Sequence, residues 1–240
     1  MSGMTPSLSR RVVAEAVGTA MLLAAVVGSG IMADQLAGGN AAIALLANTI
    51  ATGSALAALI LTFGPISGSH FNPVVTLADA SQGGVAWRDV PAYLIAQCGG
   101  AVLGVWIAHA MFEQRLFMLS HHVRSGPAQM LSEFVATFGL LAVIWGCSRR
   151  RSPAVPFAVA AYITAAYWFT ASTSFANPAV TFARALSDTF AGIRPVDVPG
   201  FVVAQFVGAL AATLLFRWLT PALPETAPDV LMPQSELTRR

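Results

Sequence analysis

The dipeptide Asn-Pro occurs twice in this chain, and each copy interrupts a long apolar stretch. The two segments read GSHFNPVVTLADA at residues 68–80 and ASTSFANPAVTFAR at residues 171–184. Asn is a strong helix N-cap, and Pro is favoured at the first helical position. Each copy therefore predicts a half-helix of about ten residues, which is too short to cross a bilayer. Irregular backbone before such a half-helix is tolerated at membrane depth only where protein buries it or where it lines water.

Composition places the chain in a membrane. Of its residues, 56% are hydrophobic and only 10% are charged, whereas a soluble domain has about 25% charged residues. Six stretches have the length and apolarity of spanning helices, at about 11–31, 41–63, 90–112, 130–148, 154–170 and 198–219. The net charge of +2 argues against a nucleic-acid partner. We predict no cofactor, metal or catalytic site.

Three motifs recur in the same order in the two halves of the chain. Glu15 with Thr19 returns as Glu133 with Thr137, Asn72-Pro73 returns as Asn177-Pro178, and Ala96-Gln97 returns as Ala204-Gln205. The chain thus contains two copies of a three-helix unit, at about residues 10–112 and 130–219. Because three is odd, the copies cross the membrane in opposite directions. The predicted fold is an all-α membrane protein with six transmembrane helices and two re-entrant half-helices.

The ends of the chain and its arginines complete this organisation. Residues 10–220 are predicted to form the membrane domain, after an N-terminal cytoplasmic segment of residues 1–9 and before a disordered cytoplasmic tail of residues 221–240. Arginine is concentrated on one side if both termini are cytoplasmic, with the triplet Arg149–Arg151 in a short inner loop. This distribution fits the positive-inside rule.

The inverted arrangement predicts a pore. The N-termini of the two half-helices should meet near the midplane, each with partial positive charge. Two such ends repel cations and admit neutral solutes. The side-chain amides of Asn72 and Asn177 are expected to donate hydrogen bonds to the solutes that pass.

The motifs Asn72-Pro73-Val74 and Asn177-Pro178-Ala179, in this inverted frame, resemble those of the aquaporin or major intrinsic protein family over about residues 10 to 219. Ser67-Gly68-Ser69-His70 resembles the family's first re-entrant loop, which implies that His70 lines the cytoplasmic mouth. Glu15 and Glu133 match the family's buried glutamates, which hold the re-entrant loops by hydrogen bonds. The resemblance implies a homotetramer in membrane lipid, with one pore per subunit for water or small neutral solutes.

One position departs from the family pattern at the outer selectivity filter. The family normally has Arg directly after the second motif, whereas this chain has Val180. Spacing from the motifs assigns Thr52, Ala165 and Ser174 to the other three filter positions. All four residues are small, so we expect a wide, weakly polar constriction without strict water selectivity.

The combination of Val180 with Asp79 and Arg184 in the half-helices resembles the one found in a bacterial subgroup of the family associated with arsenic resistance. This resemblance implies a channel in the bacterial inner membrane for arsenite, which is an uncharged trihydroxide at neutral pH. Two alternatives stay open: a general glycerol, urea and water facilitator, and a secondary transporter with broken helices. Arg184 also has two interpretations. It either reaches back toward the gap left by the missing arginine or, like Asp79, caps its half-helix in a local salt bridge at the membrane surface.

Overall fold

The computed structural model describes residues 6–148 and 153–219, and within these ranges it is helical with no β-strand. The helices are α1 Leu8–Leu36, α2 Ala41–Ser67, α3 Pro73–Ser81, α4 Val90–Met111, α5 Pro127–Ser148, α6 Val155–Phe169, α7 Pro178–Arg184 and α8 Val198–Leu219. A single 3₁₀ turn, Pro195–Asp197, precedes α8. The triplet Arg149–Arg151 and the predicted disordered tail 221–240 lie outside the described residues.

The six predicted spanning segments all coincide with helices. Five of them are long and apolar enough to cross a bilayer, and α6 is a shorter apolar helix of 15 residues. The boundaries of α2 follow from local chemistry. Asn40 caps its start, where the Asn40 side chain accepts hydrogen bonds from the backbone N–H groups of Ala42 and Ile43. Gly68 ends it in the left-handed conformation, at φ 90°.

The two halves pack in the same way. Helix α1 packs against α2 and α4, and α5 packs against α6 and α8, while α2 and α6 join the halves. Gly100 of α4 lies against the carbonyl oxygen of Ala16, and its counterpart Gly208 of α8 lies against that of Phe134. A Cβ at either glycine would overlap that oxygen, so these positions allow the close backbone approach on which helix packing in lipid depends.

The half-helices α3 and α7 occupy equivalent places in the two halves and contact each other. Helix α3 has nine residues and α7 has seven, so both are slightly shorter than predicted. Each begins at the proline that follows its Asn, as the sequence indicates. The loops that lead into them meet inside the helix bundle and form the wall of the candidate site.

Candidate pore and its constriction

The two motif asparagines each cap a half-helix with the side-chain oxygen. Asn72 Oδ1 accepts a hydrogen bond from the Val74 N–H at 3.1 Å. Asn177 Oδ1 accepts from the N–H groups of Ala179 at 3.0 Å and Val180 at 3.3 Å. The caps satisfy backbone donors that have no partner within the helix.

The amide nitrogens of the same asparagines join the two loops. Asn72 Nδ2 donates to the Ala176 carbonyl oxygen, and Asn177 Nδ2 donates to that of Phe71, each at 2.8 Å. The sequence-based expectation was that these amides donate hydrogen bonds to passing solutes. In the structure, each amide donates one of its two N–H hydrogens to the opposite loop. The second hydrogen of each amide is then available to a solute.

Glu15 is fully buried and holds the first loop. Its carboxylate accepts hydrogen bonds from the N–H groups of His70 at 3.0 Å and Phe71 at 2.7 Å. It also accepts from Ser67 Oγ at 2.6 Å and Gln97 Nε2 at 2.8 Å. These donors lie at the end of α2, in the loop and in α4, so one carboxylate of α1 links all three.

Glu133 makes the equivalent contacts in the second half. Its carboxylate accepts from the N–H groups of Phe175 and Ala176, both at 2.8 Å, and from Gln205 Nε2 at 2.6 Å. Both loops need such support because they contain non-glycine residues in the left-handed region of φ, a conformation that costs energy. These residues are Ser69, Phe71, Thr173, Ser174 and Ala176.

A cavity runs past the asparagine pair and is lined differently on its two walls. The apolar wall is formed by side chains of the long helices: Leu22, Val26, Leu56, Ile60, Leu140, Ile144, Val159 and Ile163. The polar side includes Thr52, Ser69, His70, Asn72, Tyr167, Ser174, Asn177 and Arg184. This lining combines hydrogen-bonding groups with apolar surface, as small-molecule sites generally do. The other motif residues, Pro73, Val74, Pro178 and Ala179, are not among the residues that line it.

Three of the four predicted filter residues line this cavity, namely Thr52, Ser174 and Val180. The prediction for Ala165 is wrong, because Ala165 is exposed and does not line the cavity. Residues four apart share a helix face, so Ile163 and Tyr167 face the cavity while Ala165, between them, faces away. The cavity therefore has the bulky side chain of Tyr167 on this face of α6 where the prediction placed a small one.

Tyr167 is the aromatic residue that sequence spacing missed. Its side chain is 97% buried, and its hydroxyl donates to Thr52 Oγ1 at 3.4 Å. The filter position on α6 was found by counting residues back from Asn177. That count crosses the loop between α6 and α7, so it gives the correct helix face only if this loop has the same length and path as in the family. The apolar periodicity of α6, with Val159 and Ile163 on one face, was the signal that would have found it.

Arg184 lies inside the protein rather than at a membrane surface. Its side chain is 98% buried, it lines the cavity, and its Nε donates to the Ala191 carbonyl oxygen. Its guanidinium carbon lies 3.4 Å from the centroid of the Phe175 ring, a cation–π contact. In the described part of the chain no carboxylate pairs with it, so the interpretation as a surface salt bridge is wrong. Its terminal nitrogens have no hydrogen-bond partner there and are left to the cavity.

Arg124 is a second buried arginine, and it lies beside the same Phe175 ring as Arg184. It is 92% buried, and its guanidinium carbon lies 5.0 Å from the same Phe175 centroid. Burial lowers the pKa of Arg124 to about 10, so the group stays charged at neutral pH. Burial, with Arg124 and Arg184 nearby, also lowers the pKa of His122. Nothing in the sequence distinguishes Arg124 from the exposed Arg115 in the same loop.

We call the end of the cavity at Arg184 the loop-covered mouth, because the loop segments 112–126 and 185–197 meet beside Arg184 there. The opposite mouth contains His70, which lines the cavity. His70 Nδ1 is 3.1 Å from Thr76 Oγ1, and Nε2 is 3.7 Å from Asp79 Oδ2. Asp79, 98% buried, holds the place in α3 that Arg184 holds in α7. An acidic residue near one mouth and a basic residue at the other thus hold equivalent positions, and both are buried.

The comparisons with known proteins agree with this geometry. The sequence profile of the family described as "Major intrinsic protein" matches residues 3–153 and 150–238. The chain is 55% identical to the aquaglyceroporin AqpS of Rhizobium meliloti (strain 1021), over 92% of this chain and 97% of that protein. It is 31% identical to a probable aquaporin AqpM of Archaeoglobus fulgidus, over 90% and 99%. The X-ray structure of the aquaglyceroporin from Plasmodium falciparum matches with a TM-score of 0.67 at 18% identity, over 90% of this chain and 99% of that one, and shows a shared fold.

Proposed function

Because the chain belongs to the major intrinsic protein family of membrane channels, we propose that it conducts arsenite and related uncharged polyhydroxyl solutes, together with water. The observation that carries this proposal is the make-up of the constriction. Val180 occupies the place of the family's filter arginine, and the nearest guanidinium along α7 belongs to Arg184, one turn further on and packed on Phe175. A pore without a guanidinium at position 180 has more room for solutes larger than water.

The chemistry of the lining supports solutes with several hydroxyl groups. Thr52, Tyr167 and Ser174 provide hydroxyl groups, and Arg184 provides unpaired N–H donors. Glycerol and the trihydroxide of arsenite both donate and accept hydrogen bonds, so such groups replace part of their hydration shell. The rhizobial relative is called an aquaglyceroporin, which supports the same solute class. A general facilitator of glycerol, urea and water is the second candidate, and it differs only in lacking arsenite among its solutes.

The deep carboxylates support passive conduction over coupled transport. Coupling needs a group in the membrane that titrates or binds an ion. Glu15 and Glu133 accept four and three hydrogen bonds respectively from loops and helices, so both have a structural task. Asp79 lies beside His70 at one mouth and does not line the cavity.

We further propose the assembly and orientation that the family resemblance implies. The protein forms a homotetramer in the bacterial inner membrane, with a pore in each subunit. Both termini are cytoplasmic, as the arginine distribution favours. The loop-covered mouth then faces the outside, and His70 with Asp79 lies at the cytoplasmic mouth.

Stopped-flow measurements on proteoliposomes test the solute class directly. Water, glycerol and arsenite should all permeate faster than through protein-free liposomes. Val180→Trp is the matched control, because a large ring at the constriction should abolish all three fluxes in a folded protein. Permeation of water without glycerol or arsenite would contradict the proposal, and permeation of glycerol without arsenite would favour the general facilitator.

A further inference from the structure

Two buried arginines share one aromatic ring and one peptide segment at the loop-covered mouth. The guanidinium carbons of Arg184 and Arg124 lie 3.4 Å and 5.0 Å from the Phe175 ring centroid. Arg184 Nε donates to the Ala191 carbonyl oxygen, and Arg124 Nε donates to the next one, Gly192, at 2.8 Å. The positions of the two arginine side chains are therefore linked, because both contact the Phe175 ring and the Ala191–Gly192 segment.

Arg124 also fixes the loop that leads into α7. Its Nη1 donates to the Ser172 carbonyl oxygen at 3.1 Å and to Thr173 Oγ1 at 3.4 Å. Its backbone N–H donates to Asp197 Oδ2 at 2.9 Å. Arg124 thus ties segment 112–126 both to segment 185–197 and to the loop that leads into α7. A guanidinium suits this task because its donors form a rigid fork.

Among residues 6–148 and 153–219, no side-chain ion pair neutralises the charge of Arg124. Its side-chain hydrogen bonds within the described residues go to two carbonyl oxygens and one hydroxyl. At the opposite mouth Arg11 lies 5.9 Å from the Tyr93 ring, but Arg11 pairs with Asp89 at 2.8 Å. Because Arg124 and Arg184 repel each other, their separation depends on the ring and carbonyl contacts that anchor each of them.

We infer that Arg124 is a positioning residue for the constriction. It holds the Phe175 ring and the Ala191–Gly192 segment where Arg184 projects into the pore, and so it sets the size selectivity of the channel without contacting the solute. The inference rests on the proposed place of Arg184 in the constriction. Loss of Arg124 frees Arg184 to move, which widens the pore for glycerol more than for water.

A double-mutant cycle on the full-length protein in proteoliposomes tests this coupling. The variants are Arg124→Gln, Arg184→Gln and their combination, with Arg115→Gln as the control from an exposed position in the same loop. Each single change at 124 or 184 should raise the ratio of glycerol to water permeability by about twofold or more, the lower end of couplings between contacting residues. The double variant should match Arg184→Gln, and Arg115→Gln should match the parent.

The glycerol-to-water permeability ratio distinguishes a positioning role from a loss of stability, because a poorly folded fraction lowers the glycerol and water fluxes by the same factor. The inference would be overturned if the two single changes multiplied their effects on the glycerol-to-water permeability ratio in the double variant. It would also be overturned if Arg124→Gln had the same permeability ratio as the parent. An unchanged ratio in Arg184→Gln would instead show that the proposed constriction is misplaced.

A second cycle covers the case in which Arg124→Gln does not fold. Phe175→Leu removes the ring face and leaves a smaller apolar side chain at a position that lines the cavity. It should raise the ratio in the parent and have no effect in the Arg184→Gln background. An equal effect in both backgrounds would contradict coupling through this ring.

Discussion

Val180 and Arg184 lie four residues apart on α7, so they are one helical turn apart on the same face. Both line the cavity. The guanidinium of Arg184 is aligned by the Phe175 ring and by the Ala191 carbonyl oxygen. The chain thus keeps an arginine near the proposed constriction, while the position after the second motif is small and apolar.

Val180→Arg tests this arrangement at the level of one residue. Two guanidiniums about 5 Å apart repel by about 3 kcal/mol at an effective dielectric constant of about 20. Both side chains compete for the same space, so water and glycerol permeability should fall together, by roughly tenfold or more. Stopped-flow light scattering measures both, and Val180→Leu controls for size without charge. If glycerol flux falls while water flux persists, Arg at 180 has restored the family filter and Arg184 lies outside the pore.

Asn177→Asp tests the charge barrier at the centre of the pore. Aspartate can still cap α7, but it cannot donate to the Phe71 carbonyl oxygen, and it places a negative charge at the helix N-termini. We expect sodium or potassium leak, measured as ion-driven dye quenching in vesicles. Asn177→Ser, which caps without charge, should remain cation-tight. A folded Asn177→Asp channel that is also cation-tight would refute our account of this barrier.

At the scale of elements, the half-helices depend on carboxylates that lie in neighbouring helices. Glu133 replaces water for two loop N–H groups and for the Gln205 amide. Buried acceptors of this kind are costly to remove, because the donors then remain unsatisfied.

Glu133→Gln should therefore destabilise the protein by about 2 to 4 kcal/mol, since hydrogen bonds to a charged group contribute roughly 1.5 to 3 kcal/mol each. The change should lower the unfolding temperature in detergent and reduce all solute fluxes. Glu113→Gln, at an exposed loop position, is the control. An unfolding temperature equal to that of the control would show that Glu133 does not support the loop.

The elements that follow from local chemistry could be predicted from the sequence. The N-caps at Asn72 and Asn177 fixed the starts of α3 and α7, and duplication of the motifs fixed the two equivalent halves. Side chains whose positions depend on loop paths could not be predicted in this way. Ala165 was assigned across a loop by counting residues, and Arg124 reaches Phe175 through a segment without periodicity. Tertiary contacts determine both outcomes.

At the scale of the whole molecule, the inverted halves are alike in backbone and differ in the side chains near the two mouths. His70 beside Asp79 at one mouth occupies the place that Phe175 beside Arg184 occupies at the other. The shared backbone places both asparagines beside one cavity, while the side chains that differ give each end of it its own polarity. In a passive pore this asymmetry changes the rate at which solutes enter each mouth and leaves the equilibrium distribution of a neutral solute unchanged.

The most direct test of passive conduction is the plateau of arsenite inside proteoliposomes, measured with and without imposed proton and sodium gradients. We predict that the internal concentration rises faster than in protein-free vesicles and stops at the external concentration in every case. A plateau above the external concentration under either gradient would contradict the channel account and favour a coupled transporter. Filling no faster than in protein-free vesicles would contradict arsenite as a solute.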